Sequence, residues 1–268
     1  MRQGWALITG ASSGIGRELA YILAKERYDL VLVARRKALL EGLKNELKKL
    51  HPPLSVEILP YDLAKPETPA RIFKELKRKK IRIQFLVNNA GFGTSGPFAE
   101  ANLQRELELI DVNIRSLVEL THLLIPDMLR YKEGIILNVA STAAFLPGSF
   151  MANYYASKAY VLHFSEALAE ELRPYGVKVS ALCPGPTATE FFEVAGSAQS
   201  LIAKGKLAPL MSAKEVAEIG YRSAVKGKVV VIAGFTNKVL IQLVRLSPRF
   251  LLRKITALLN KPRERTRP

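Results

Sequence analysis

Cysteine is nearly missing from this 268-residue chain. Cys183 stands alone, which excludes a disulfide-stapled scaffold and any cysteine-rich zinc or iron–sulfur centre. Histidine is scarce as well: His51, His122 and His163 are scattered, so no metal site is expected. Long apolar runs are absent near the start, where Trp5-Ala6-Leu7-Ile8 is too short for a signal peptide or a membrane span. A reducing, cytoplasmic setting is the expectation. Acidic residues are in deficit, 24 Asp and Glu against 40 Lys and Arg, giving a net charge of +16. Such an excess suits an anionic partner: nucleic acid, a membrane surface or a phosphorylated ligand. Half of it sits in residues 235–268, where nine basic residues face only Glu264. What is plentiful is apolar material, 49% of the chain, which excludes disorder and supplies a core for one large domain or two small ones.

Short, almost wholly apolar runs alternate with longer amphipathic stretches. The runs at 5–9, 30–34, 55–59, 84–87, 134–139, 177–183 and 228–232 read as strands. The stretches at 14–26, 37–50, 67–79, 100–130, 153–173 and 213–225 read as helices. Strands apolar on both sides belong to a parallel sheet covered on both faces. The expected fold is α/β: a single doubly wound Rossmann-type domain with a seven-stranded parallel sheet flanked by helices, over residues 1–234. Residues 235–268 read as a basic, amphipathic helical extension. Residues 187–211 lack a clear period and read as a flap.

The first strand runs into Thr9-Gly10-Ala11-Ser12-Ser13-Gly14-Ile15-Gly16, and a helix follows. Glycines there allow a tight turn and let a pyrophosphate reach the free N–H groups at the helix start. The spacing is Gly-x3-Gly-x-Gly, not the general G-x-G-x-x-G fingerprint, so its place between strand and helix carries the reading. Gly10-Ala11-Ser12-Ser13-Gly14 also spells the G-x-S-x-G elbow of a hydrolase. That reading fails because the first strand is the wrong place and His163, the only late histidine, sits in a run read as a mostly buried helix face. After the second strand, Ala34 stands where an NAD site needs a carboxylate for the ribose hydroxyl. Arg35 and Arg36 follow, two guanidiniums suited to a 2′-phosphate, so NADP(H) is the expected cofactor. A plainer account makes them the solvated start of a helix.

Tyr154 and Lys158 lie four residues apart on a predicted helix and so share a face. A neighbouring ammonium favours the phenolate and is expected to bring the Tyr154 hydroxyl toward a useful acid/base range. Tyr155 has Ala159 in the matching place and lacks that partner.

Thr9–Gly16, Asn88-Asn89-Ala90-Gly91, Asn113, Ser141, Tyr154 with Lys158, and Pro184-Gly185 occur in order and spacing that resemble the short-chain dehydrogenase/reductase family. The resemblance spans roughly residues 5–232. It implies Asn113, Ser141, Tyr154 and Lys158 as the catalytic set. Tyr154 would be the acid or base at the substrate oxygen, and Ser141 would hydrogen-bond that oxygen. Lys158 would lower the phenol's pKa and hold the nicotinamide ribose, while Asn113 would anchor a water linking Lys158 to solvent. For the cofactor it implies Gly10, Ser12, Ser13, Gly14, Ile15 and Gly16, with Asp62 and Leu63 near the adenine. Asn89, Ala90 and Gly91 would line it, and Pro184, Gly185, Thr187 and Thr189 would border the nicotinamide. Ala140 stands where many members have a second Ser. Taken singly, most of these residues have plainer roles as caps or turns; together they form a pattern that coincidence does not explain.

The expected activity is NADP(H)-dependent hydride transfer on a carbonyl/alcohol pair, by reduction of an apolar ketone or acyl carbonyl. The apolar cast of Phe92, Phe145, Leu146, Met151, Phe191 and Phe192 near the nicotinamide favours a lipid-like, steroid-like or aromatic substrate. Two alternatives are an NAD-dependent alcohol or hydroxysteroid dehydrogenase and a non-catalytic NADP(H)-sensing protein. The family resemblance implies a homo-dimer or homo-tetramer through helices 100–130 and 153–173. In the tail, 237–246 and 248–259 read as helices, with Ser247 capping the second and Pro248 at its first position. They suit an anionic membrane surface, or a cover over the substrate cleft, or a subunit interface. No recognition motif for nucleic acid accompanies the charge.

Overall fold

The computed structural model describes residues 4–200, 203–205 and 210–261. Arg263, Glu264, Arg265 and Arg267 of the basic tail lie outside them. β1 (Gly4–Thr9) leads to α1 (Gly14–Lys25), β2 (Tyr28–Val33), α2 (Lys37–Leu50), β3 (Val56–Leu59), α3 (Thr68–Arg78) and β4 (Ile83–Asn88). Next come α4 (Leu103–Ile110), a π turn (Asp111–Arg115), α5 (Ser116–Tyr131), β5 (Gly134–Val139), α6 (Ala152–Leu172) and β6 (Val177–Cys183). The chain continues through β7 (Thr187–Ala188), α7 (Phe191–Val194), β8 (Met211–Ser212) and α8 (Ala213–Val225). It then runs through β9 (Val230–Ile232), α9 (Phe235–Leu246) and α10 (Arg249–Asn260).

Seven strands form one sheet in the order β3-β2-β1-β4-β5-β6-β9, all parallel. The short β7 and β8 pair apart from it. The reason the strands read as unbroken apolar runs is now visible. Ala6, Ile8, Leu30, Leu32, Phe85 and Val87 pack under α1, α2 and α8 on one face. Leu7, Val31, Val33, Leu86 and Ile136 pack under α3, α5 and α6 on the other. With both faces covered, the few polar strand residues, such as Asn88 and Asn138, are buried and hydrogen-bonded to each other, and each fully buried Leu or Ile contributes about 1.5–3 kcal/mol. The strand order reverses between β1 and β4, which opens a crevice beyond the carboxyl ends of these strands, where ligands of open α/β sheets bind.

The structure differs from the sequence reading in two stretches. The helix expected over 100–130 starts at Leu103, because Asn102 caps it by accepting the Arg105 N–H at 3.0 Å; Glu100 belongs to a separate short turn. The π turn at Asp111–Arg115 then widens the helix before α5. In the tail, Pro248 rather than Ser247 caps α10, and the Ser247 hydroxyl donates back to the Leu243 carbonyl at 2.8 Å, closing α9. α9 and α10 lie against the domain through Ile241, Val244 and Leu252, all buried.

Candidate active site

The turn after β1 is shaped by its glycines. Gly10 has φ of +66°, and a Cβ there would stand 2.7 Å from Asn89 Nδ2 and 2.9 Å from Ala90 Cα. Thr9 explains the crowding: its hydroxyl accepts the N–H groups of Asn89 and Ala90, both at 3.0 Å, while Asn89 Nδ2 donates to the Thr9 and Gly10 carbonyls. The ends of β1 and β4 are thereby stitched together. α1 starts at Gly14 with no side-chain cap at Ser13 and no acidic residue in its first turn. Its leading N–H groups are thus open to an anion, and a pyrophosphate fits this cradle.

From the cradle, one cavity of about 1260 Å³ runs past the ends of β4, β5 and β6 to the C-terminal helices. Gly10, Ser12, Ser13, Gly14 and Ile15 line it, as do Arg35, Arg36, Asp62, Leu63, Asn89, Ala90 and Gly91. Ser141, Tyr154, Lys158, Pro184, Gly185, Thr187 and Thr189 complete the candidate residues on its wall. Gly16 and Asn113 stand behind the wall. Gly16 is a packing glycine: a Cβ there would collide with Asn89 Nδ2 and the Gly10 carbonyl. Among the described residues no group of three His, Cys, Asp or Glu could hold a metal ion.

Ser141 follows β5 and accepts the Ala143 N–H at 3.1 Å. Tyr154 and Lys158 stand one turn apart on α6, and both are buried. Lys158 Nζ donates to the Val139 carbonyl at 2.8 Å and lies 5.9 Å from the centre of the Tyr154 ring. Asn113, exposed by 1%, accepts the Phe92 N–H and donates to the Phe92 carbonyl and to Ser157 Oγ at 2.9 Å. Its side chain braces the segment after β4 against α6. Ser157 in turn donates to the Tyr154 carbonyl at 2.7 Å, one helical turn back.

Burial governs the electrostatics of this pair. Burial pushes the Tyr154 phenol well above its ordinary value, and a hydrogen bond with Ser141 opposes this only in part. Burial pulls Lys158 down to about 8. Desolvation is the largest cause at both groups, and it holds the Tyr154 hydroxyl in its protonated form.

At the other end of the cavity, Arg35 is exposed and Arg36 is engaged. Arg36 donates to both carboxylate oxygens of Glu190, at 3.1 and 2.8 Å, and to Ser13 Oγ at 2.8 Å. Glu190 escaped the sequence reading. Asp62 Oδ1 accepts the Ala64 N–H at 3.1 Å.

The end of the cavity near Tyr154 is apolar, with Phe92, Leu146, Met151, Phe191 and Phe192 on the wall. Phe145 is a correction: it packs beside the Leu117 and Val161 cluster, under the Arg245 guanidinium, and not on the wall. α10 roofs this end with Thr256, Leu259 and Asn260, and Asn260 Nδ2 donates to the Tyr155 hydroxyl and the Ser149 carbonyl, both at 3.2 Å. Residues 190–200, read as part of a flap, form a side wall. His163 is exposed, not buried, and pairs with Glu166 on the outer face of α6, which removes the hydrolase reading a second time.

A profile of the short chain dehydrogenase family matches residues 4–200. The chain belongs to this family, whose members work with a nicotinamide cofactor. Among curated relatives, a very-long-chain 3-oxoacyl-CoA reductase of Phaeosphaeria nodorum is 38% identical over 186 residues, 68% of this chain and 54% of that protein. The chain thus spans about half the length of the curated relatives it matches. Among solved structures, a short-chain dehydrogenase from Sphingobium yanoikuyae in complex with NADPH is 31% identical, with a TM-score of 0.81, over 99% of this chain and 98% of that one. A bulky-bulky ketone specific alcohol dehydrogenase from Comamonas testosteroni is 26% identical, with a TM-score of 0.77, over 100% of this chain and 98% of that one.

Proposed function

We propose that this chain is an NADP(H)-dependent oxidoreductase that reduces an apolar ketone or acyl carbonyl. The observation that carries the reading is that Ser141, Tyr154 and Lys158 stand on the wall of the cavity that begins at the glycine cradle. A bound nicotinamide would supply the hydride. The chain's own part is to hold the carbonyl oxygen with Ser141 and Tyr154 and to deliver the proton from the Tyr154 hydroxyl. A phenol held neutral by burial suits the reductive direction, which consumes a proton at that atom. Lys158 would bind the nicotinamide ribose, Asn113 would brace the site, and Arg35 with Arg36 would select the 2′-phosphate.

The relatives named as 3-oxoacyl-CoA reductases and the apolar far end of the cavity support an acyl chain as the substrate's bulk. We assign residues 1–234 to the cofactor-binding and catalytic domain and 235–268 to an extension, of which α9 and α10 cover the cavity with Leu240, Thr256, Leu259 and Asn260. Its outer face exposes Leu243, Leu246, Phe250 and Leu258 among Arg245, Arg249, Arg253 and Lys254, with no acid in residues 235–261. That combination suits the anionic surface of a membrane from the cytoplasmic side; among the described residues no helix is long and apolar enough to cross one. Leu103 and Leu107 on α4 and Tyr160 on α6 are exposed and support a homo-oligomer through these helices.

The test follows absorbance of the reduced nicotinamide with apolar ketones and 3-oxoacyl thioesters of increasing chain length. Oxidation of NADPH that speeds up with chain length is the expected result. No turnover with either nucleotide across the panel overturns the reading.

A further inference from the structure

Arg36 and Glu190 are 154 positions apart in the chain and meet across the cavity, bidentately, at 2.8 and 3.1 Å. The Ser13 hydroxyl joins them, donating to Glu190 Oε2 at 3.0 Å and accepting from Arg36 at 2.8 Å; Ser12 accepts from Arg36 at 3.2 Å. Ser12, Ser13, Arg36 and Glu190 all stand on the cavity wall. A carboxylate therefore occupies the guanidinium and the glycine-loop hydroxyl that a 2′-phosphate would need. Arg35, next to Arg36, makes no hydrogen bond or ion pair among the described residues.

We propose that Glu190 is a cofactor-discriminating residue: an internal anion that the 2′-phosphate of NADP(H) must replace on Arg36 and Ser13. The proposal rests on the NADP(H) reading above. The exchange is feasible on energetic grounds. The Arg36 and Glu190 side chains are 45% and 49% exposed, and pairs so exposed are worth only about 0.2–1 kcal/mol. A phosphate offers three acceptor oxygens and up to two charges, and meets the uncommitted Arg35 as well. A nucleotide without the 2′-phosphate has nothing to trade for Glu190 and leaves the pair closed. Glu190 thus sets how much of the arginines' attraction for the 2′-phosphate reaches the measured affinity.

The experiment titrates NADPH and NADH, by nucleotide fluorescence and without substrate, into the full chain and its Glu190→Gln, Arg36→Gln and double variants. Glu190→Gln keeps the shape and removes the charge. It is expected to tighten NADPH by about 1.4-fold to fivefold, from the value of an exposed pair, and to leave NADH nearly unchanged. In the Arg36→Gln background the same substitution is expected to do nothing, because the coupling partner is gone. NADPH affinity that is unchanged or weaker, an equal gain for both nucleotides, or a gain that survives Arg36→Gln overturns the assignment. If the parent binds NADPH and one of these results appears, only the role of Glu190 fails. A parent that binds neither nucleotide removes the NADP(H) reading together with this one.

Discussion

Lys158 donates its ammonium proton to the Val139 carbonyl, 2.8 Å away, and is thereby tied to the end of β5 beside the Tyr154 ring. The tether orients the lysine along the cavity wall. Burial of that same group lowers its pKa to about 8, so its charge is lost within an accessible pH range.

The rate of carbonyl reduction should record that loss. Tyr154 remains protonated through neutral pH, because burial raises its pKa. The parameter kcat/KM reports the free protein's groups. It is expected to be level near neutrality and to fall as pH rises past about 8, where Lys158 becomes neutral. A rate that climbs above pH 8 would contradict this assignment of acid and ammonium.

Stability should show the same titration with the opposite slope. The folded pKa of Lys158 is about 8, below its ordinary 10.5. Between these values the unfolded chain binds more protons than the folded one, so stability rises with pH across that window and the contribution is lost as pH falls toward 8. Denaturant unfolding at pH 8 and pH 10 checks this: the parent should gain stability relative to Lys158→Met, which lacks the titrating group. Parallel pH dependences in the two proteins would refute it.

Replacing Tyr154 with Phe keeps the ring against Phe191, 4.9 Å away centre to centre, and removes only the hydroxyl. Turnover should drop by about 10²–10⁴-fold, the usual worth of a positioned acid, with NADPH affinity retained. Stopped-flow and nucleotide titration on one preparation separate the two effects. Unchanged kcat would displace Tyr154 from the chemistry.

The exposed face of α9 and α10 should bring the chain to vesicles containing phosphatidylserine. Each cation near such a surface is worth about 1 kcal/mol, and the attraction weakens with salt. Putting Glu at Leu246 and Phe250, exposed by 84% and 57%, should lower vesicle binding by at least about tenfold without disturbing the core. Flotation at equal amounts for parent and double variant would leave the membrane proposal without support.

Much of this architecture was readable before any coordinates. Both-sided burial writes itself into β1, β2 and β5 as nearly continuous apolar runs, and the spacing of Tyr154 and Lys158 on α6 needed only helical geometry. Three features were out of reach for one shared reason: they depend on what a residue meets far along the chain. Glu190 reads as an ordinary surface acid until Arg36 is beside it. Asn88 reads as part of a turn; it ends β4, where its amide donates to Thr121 and Asn138 in the interior, at 3.0 and 2.9 Å. The phenol's raised pKa comes from enclosure by the segments after β4 and β6, which local spacing does not report. The late start of α4 is different, because Asn102 was a legible cap that the longer amphipathic pattern hid.

The cavity takes its walls from Gly10 at one extreme and Lys261 at the other. Removing α10 would take Thr256, Leu259 and Asn260 from the wall and leave the glycine cradle and Tyr154 whole.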